Sequence, residues 1–345
     1  TIPTNGSFTA TKAWVDGPKP LDEVRFQLYR NIAGGTKAAV GSPVGLTESS
    51  YTWNNLQETD INGNAYIYSF EESTVPANYT ASYSEDGLTV TNTYTIPTNG
   101  SFTATKAWVD GPKPLDEVRF QLYRNIAGGT KAAVGSPVGL TESSYTWNNL
   151  QETDINGNAY IYSFEESTVP ANYTASYSED GLTVTNTYTI PKRDITVTKE
   201  WVNGPETHPT IEIQLYRSIE REMTPEMAIQ SIEELVGTIS LQNGDESYTW
   251  SDMDVTDTYG NLYEYYVVEV TTFNGYAVSY SEDRLTIINK AKEFNVAYNS
   301  NGGSGTMNDD NSPYKYGSQV TILQNVYTRS GYNFTGWNTA ADGNG

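Results

Sequence analysis

The sequence predicts an all-β chain of tandem β-sandwiches, and three observations carry that prediction. Short runs of alternating apolar and polar residues are separated by Gly, Asn, Asp and Pro turns. Residues 1–94 and 95–188 are identical at every position, a period far longer than the ~20–50 residues of solenoid repeats. Tyr occurs 27 times and Trp 7 times in a chain that is only 37% hydrophobic, a composition suited to half-buried sheets rather than large cores.

The predicted strands of the first unit run over 7–14, 23–30, 50–53, 65–72, 79–84 and 88–94. Strand side chains alternate between faces, so in the first of these Phe8, Ala10, Lys12 and Trp14 share one side while Thr9 and Thr11 take the other. The second carries Gln27-Leu28-Tyr29-Arg30 and the third Tyr51-Thr52-Trp53. Tyr68, Phe70 and Glu72 lie on one face of the fourth, and the last strand turns Leu88, Val90, Asn92 and Tyr94 inward.

A divergent third unit, about 189–290, keeps these landmarks. Gln214-Leu215-Tyr216-Arg217 and Tyr248-Thr249-Trp250 match their counterparts, Ile195, Val197, Lys199 and Trp201 point inward, and so do Leu285, Ile287 and Asn289. Ten extra residues stand between Arg217 and Tyr248. There Thr224-Pro225-Glu226, followed by Met227, Ala228, Ile232 and Leu235, predicts a short surface helix. The joints Thr95-Ile96-Pro97 and Thr189-Ile190-Pro191 are short and contain proline, which predicts a semi-stiff string of three beads, 1–94, 95–188 and 189–290. Residues 291–345 change character and form a separate module.

Each bead directs one lysine, one asparagine and one glutamate into its interior. The sets are Lys12, Asn92 and Glu72; Lys106, Asn186 and Glu166; and Lys199, Asn289 and Glu269. Burying such groups is costly unless they are paired or chemically altered. A one-residue slip would exchange Glu72 with Glu71; the third bead favours Glu72, because Val268 stands where Glu71 would and Glu269 matches Glu72. Plainer alternatives are a Lys12 stem packed on Trp14 with its amine snorkelling to the sheet edge, and Asn92 as a turn cap at a strand end.

A net charge of −22 argues against nucleic-acid binding, since phosphate recognition needs basic patches. The same acidity suits a soluble surface protein. Cysteine is absent, so the disulfide staples common in small extracellular domains are missing. There is no signal peptide, no apolar run of membrane-spanning length and no LPxTG sorting motif, and the chain, opening in Thr1-Ile2-Pro3 and closing in Gly343-Asn344-Gly345, is expected to be a fragment of something longer. No cofactor or metal is expected. Asp60, Asn62 and Asn64 around Gly63 lack the full set and closing glutamate of a calcium loop and read as a turn, as do Asp252, Asp254 and Asp257. His208, the sole histidine, stands beside Pro209 and supports neither a catalytic triad nor a zinc site.

The ordered run Lys12-Ala13-Trp14, Gln27-Leu28-Tyr29-Arg30, Tyr51-Thr52-Trp53, Asp60-Ile61-Asn62-Gly63 and Asn92-Thr93-Tyr94 resembles the Cna protein B-type domains of Gram-positive adhesins and pilins. The stretch from Tyr68 to Tyr79 is similar to the pilin E-box, whose glutamate corresponds to Glu72. The tail, through Asn301-Gly302-Gly303-Ser304-Gly305 and Gly336-Trp337-Asn338-Thr339, resembles a Listeria–Bacteroides repeat, and the match stops before that module's closing strands. These resemblances imply immunoglobulin-like sandwiches followed by a partial β-grasp-like module. They also imply that Lys12 and Asn92, Lys106 and Asn186, and Lys199 and Asn289 are joined by isopeptide bonds, with Glu72, Glu166 and Glu269 assisting.

Elementary chemistry agrees with that implication. Burial lowers a lysine pKa and raises a carboxylic acid's, so a neutral amine can attack the Asn92 amide while Glu72 polarises its carbonyl and shuttles the proton. Such self-modification makes the protein no enzyme. The function implied is a stalk segment of a cell-surface adhesin or pilus-like fibre, extracellular, adjoining further domains of the same surface protein and meeting host matrix or glycan through a tip outside this fragment. The alternative is a ligand-binding module whose identical copies raise avidity. A hydrolase has little support, because no acid pair recurs in all three beads beyond the glutamates already named.

Overall fold

The computed structural model describes residues 2–221 and 230–345. The first repeat forms seven strands: β1 (Gly6–Val15), β2 (Arg25–Ile32), β3 (Ala38–Gly45), β4 (Ser50–Leu56), β5 (Tyr66–Thr74), β6 (Tyr79–Tyr83) and β7 (Thr89–Tyr94). They build two sheets, ordered β4-β1-β7-β6 and β3-β2-β5. Alternation puts Ala10, Phe26, Phe70 and Val90 on the inner faces, where they join Val24 and Leu46 in one core. Phe26 of β2 and Phe70 of β5 meet on the inner face of the smaller sheet with ring centroids 4.7 Å apart. Within the larger sheet β1 is antiparallel to β4 and parallel to β7, so the first and last strands of the repeat lie side by side. That adjacency positions the site.

The same pair of sheets recurs in the second and third repeats. The chain divides into two units, Thr1–Val109 with Lys113–Thr187, and Asp110–Pro112 with Tyr188–Gly345. The first unit holds two repeats. In the second unit the module after the third repeat has one short ladder, Glu293–Phe294 against Tyr314–Lys315, and an isolated bridge between Ser304 and Thr328. Its Trp337 gathers Tyr298, Phe334 and Tyr327 around it and donates from Nε1 to the Leu323 carbonyl at 2.8 Å.

Three expectations are corrected. First, β3 was not foreseen, because Ala38-Ala39-Val40-Gly41-Ser42-Pro43-Val44-Gly45 has little alternation and carries both Gly and Pro. It survives as an edge strand, where a missing N–H is tolerated, and its pairing with β2 shifts register between Phe26 and Leu28. The buried Gln27 amide repairs that irregularity, donating to the carbonyls of Leu28, Val40 and Gly41 at 2.8, 3.3 and 3.3 Å. Second, Leu88 is 41% exposed rather than inward, since β7 begins at Thr89 and Leu88 still belongs to the turn after Gly87. Its third-repeat counterpart Leu285 does pack on the core.

Third, the helix expected in the insertion is a strand where it is described. Gln230–Leu241 pairs antiparallel with Ile211–Arg221, placing Ile232 opposite Ile219 and Leu235 opposite Tyr216. The β-branched residues Ile232, Val236 and Ile239 and an available neighbouring edge outweigh the helical spacing. The expected helix start, Thr224 to Ala228, lies outside the described residues.

Candidate functional site

Lys12 stands on β1 opposite Val90 of β7, and Asn92 stands on β7 opposite Trp14. In-register neighbours share a face, so all four side chains enter the core together. Glu72 reaches them from β5 in the opposite sheet. The lysine Nζ lies 3.6 Å from Glu72 Oε2, donates to the Ala13 carbonyl at 3.2 Å and hovers 4.4 Å from the Trp14 ring centroid. Asn92 Nδ2 donates to Glu72 Oε1 at 2.9 Å. Lys12 and Glu72 have no side-chain surface open to solvent, and Asn92 has none either. Snorkelling is therefore ruled out, as is a capping role for Asn92, which sits within β7.

The other repeats reproduce this geometry. Lys106 Nζ is 3.7 Å from Glu166 Oε2, and Asn186 Nδ2 donates to Glu166 Oε1 at 2.9 Å. In the divergent third repeat the distances are 3.8 Å from Lys199 to Glu269 and 2.9 Å from Asn289 to Glu269. Each site also shares two defects: the second carboxylate oxygen and the asparagine carbonyl oxygen are buried without a hydrogen-bond partner. An unsatisfied buried polar group costs about 1–3 kcal/mol. At the carboxylate oxygen the lysine charge 3.6–3.8 Å away offsets part of that cost, whereas the asparagine carbonyl oxygen has no hydrogen-bond partner.

One detail differs from the sequence expectation. The glutamate touches the nitrogen end of the amide, not its carbonyl. The carboxyl oxygen accepts from the NH₂ group, which an ionised or a protonated acid can do, whereas polarising Oδ1 requires the O–H of the protonated form.

Residues 8–93, 102–187 and 195–290 match the Cna protein B-type domain. The chain belongs to the Cna protein B-type domain family. Residues 294–345 match the Listeria-Bacteroides repeat domain. A collagen adhesin of Staphylococcus aureus is 27% identical over 337 residues, covering 91% of this chain and 26% of that protein, so the chain spans about a quarter of its length. The crystal structure of two B repeat units of the S. aureus collagen-binding protein is 24% identical, covers 84% of this chain and 76% of that one, and superposes with a TM-score of 0.34. The shaft pilin SpaA of Lactobacillus rhamnosus GG is 14% identical, covers 54% and 98%, and gives 0.21.

Electrostatics in the B-type repeats follow from burial. Loss of solvent pushes the Lys12, Lys106 and Lys199 amines down to about 8, against the opposing pull of the glutamates. The glutamates are raised by the same burial, against the asparagine amide and the lysine charge. Both partners are thus driven toward their neutral forms. The Asp60 turn does no such work. Its Oδ1 accepts from the Asn62 and Asn64 amides at 2.8 Å each and its Oδ2 from Asn64 Nδ2 at 2.9 Å, the pattern of a self-closed turn. His208 lies flat on Trp201, with centroids 4.4 Å apart.

Sequence reasoning missed Tyr83, whose hydroxyl accepts from the Glu72 backbone N–H at 2.8 Å and holds the strand that aims the carboxyl. Tyr177 and Tyr280 do the same for Glu166 and Glu269. Each lies eleven residues after its glutamate, a spacing kept in the divergent repeat and therefore findable. Replacing all three tyrosines by Phe should cost about 1 kcal/mol per repeat, the worth of one hydrogen bond, read as an earlier midpoint in urea; an unmoved midpoint would remove these tyrosines from the site.

Proposed function

We propose that the chain is a force-transmitting stalk segment of a cell-surface adhesin or pilus-like fibre, each B-type repeat locked by an isopeptide bond between its lysine and asparagine. The observation that carries this is the meeting of amine, acid and amide in a fully dry core, three times over, including the repeat whose surrounding sequence has diverged. Unprotonated Lys12 Nζ attacks Asn92 Cγ. A C–N bond forms, the Cγ–Nδ2 bond breaks, and the old nitrogen leaves as ammonia with one proton taken from the attacking amine through Glu72. Half a turn of the Asn92 amide brings Oδ1 to a protonated Glu72, which then polarises the carbonyl; in the orientation observed, Glu72 already faces the departing nitrogen. Neither oxidant nor cofactor enters the balance.

The topology explains the benefit. Parallel neighbours β1 and β7 put the entry and exit of the repeat at opposite ends, so pulling shears one strand against the other. A link from Lys12 to Asn92 would bear that load through covalent bonds. Engagement of a matrix protein or glycan is assigned to domains outside these repeats, at the surface of the Gram-positive cell. The test is to stretch single full-length chains from both termini. Crosslinked repeats should release none of the chain between lysine and asparagine, whereas unlinked ones would release about 80 residues in each of the first two repeats, roughly 280 Å at full extension, and about 90 in the third.

A further inference from the structure

A second recurring contact, separate from the buried site, joins successive modules. In the first unit, Gly17 in the loop after β1 donates its N–H to the Ile155 carbonyl of the second repeat at 2.9 Å. Beside it the Tyr94 hydroxyl bonds Thr153 Oγ1 at 2.8 Å. Pro18 fills the space over Gly157, where an added Cβ would meet the proline ring at 2.6 Å. The loop arrives preformed: Lys19 N–H bonds the Tyr79 hydroxyl at 3.1 Å, and Gly17, at φ +73°, leaves no room for a side chain against that hydroxyl.

Identity of the two repeats supplies an internal comparison. The receiving turn of the second repeat, Asp154–Asn158, has the same sequence as Asp60–Asn64 in the first. Around Gly63 an added Cβ meets nothing within 4 Å, and Ile61 is 88% exposed against 45% for Ile155. One sequence thus appears both open and occupied. Inside the second unit the pattern returns. Gly111 donates to the Thr258 carbonyl at 2.8 Å, Pro112 covers Gly260, and the Tyr188 hydroxyl bonds Thr256 at 2.9 Å. The third repeat's own Pro205 covers Gly317 of the following module, and Lys315 Nζ reaches Asn203 Oδ1 at 2.9 Å. Thr258 replaces Ile155 without loss of the contact, because the bond is to backbone and the seat is a bare glycine.

We infer that the Gly-Pro loop after the first strand is a plug and the glycine-bearing turn of the next module its socket, a head-to-tail clasp that restrains the joint. Its acceptor surface is fitted to one kind of partner, the rigid Gly-Pro loop of a preceding repeat. The clasp needs no isopeptide bond, so it stands or falls apart from the reading above.

The test uses the full chain with spin labels on Glu85→Cys and Glu179→Cys, clean positions because the native sequence has no cysteine. Both sites are exposed, one in each repeat of the first unit. The distance distribution between labels should show a single narrow peak. Gly157→Val should abolish that peak, since the new side chain collides with Pro18. Gly63→Val places the same strain in the same turn where no plug sits, and should leave the peak intact. Should Gly157→Val fail to fold, Thr153→Val against Thr59→Val makes the same comparison by removing only the hydroxyl that Tyr94 holds. A broad distribution in the unsubstituted chain, a peak that survives Gly157→Val and Thr153→Val, or equal broadening from the first-repeat controls would overturn the clasp.

Discussion

Replacing Glu72, Glu166 and Glu269 together by Ala is expected to lower the melting temperature of the repeats by on the order of 20 °C. The three lysines should then remain free, because no group is left to carry the proton from attacking amine to departing nitrogen. A link across the 80 positions from Lys12 to Asn92 restricts the unfolded chain as a disulfide would, worth about 4.5 kcal/mol on the chain-entropy model. For a domain of this size each kcal/mol moves the melting temperature by about 4–8 °C. Calorimetry on the variant and parent decides the matter. A variant that melts with its parent would mean that the glutamates do not support a crosslink.

Replacing Lys12, Lys106 and Lys199 by Met should have a comparable effect and give it a pH signature. The methionine matches the lysine stem in volume and cannot form the link, so the loss should be of the same order as in the alanine variant while the buried acid stays in place. Burial raises the Glu72 pKa above its ordinary 4.5, so the folded state holds a proton that the unfolded chain gives up. That contribution is fully present below pH 4.5 and disappears as pH rises through the folded value. Adding Glu72→Gln, Glu166→Gln and Glu269→Gln removes the titrating group while keeping every other carboxylate. The difference in stability between the two variants should therefore grow from acid toward neutral pH, with the glutamine variant the more stable. A constant difference would show that the glutamates are not desolvated.

The site was legible because two independent patterns agree on it. Period-two alternation turns Lys12, Asn92 and Glu72 inward, and the third repeat repeats the placement in different surroundings, which separates Glu72 from Glu71. The aromatic landmarks were legible for a similar reason: Phe8, Trp14 and Trp53 pack against the core from alternating positions. What escaped notice lacks such a pattern. β3 packs only Val44 against the core and is otherwise held by its neighbour's backbone and by the Gln27 amide. The Ile232 and Leu235 spacing fits a helix locally, and only the edge of the adjacent strand makes it a hairpin arm. Which end of Asn92 meets Glu72 is set by the orientation of the amide in the core, which alternation along the strand does not encode. The Gly-Pro clasp is made from backbone groups and bare glycines, so composition and periodicity carry no trace of it.

The most direct test of the covalent account is the intact mass of the full chain by high-resolution mass spectrometry. Three closed repeats predict a mass below that of the sequence by three ammonia molecules, returning to the full value when the three lysines are replaced and their own mass change is subtracted. An unmodified parent, weighing what its sequence dictates, would contradict the account outright.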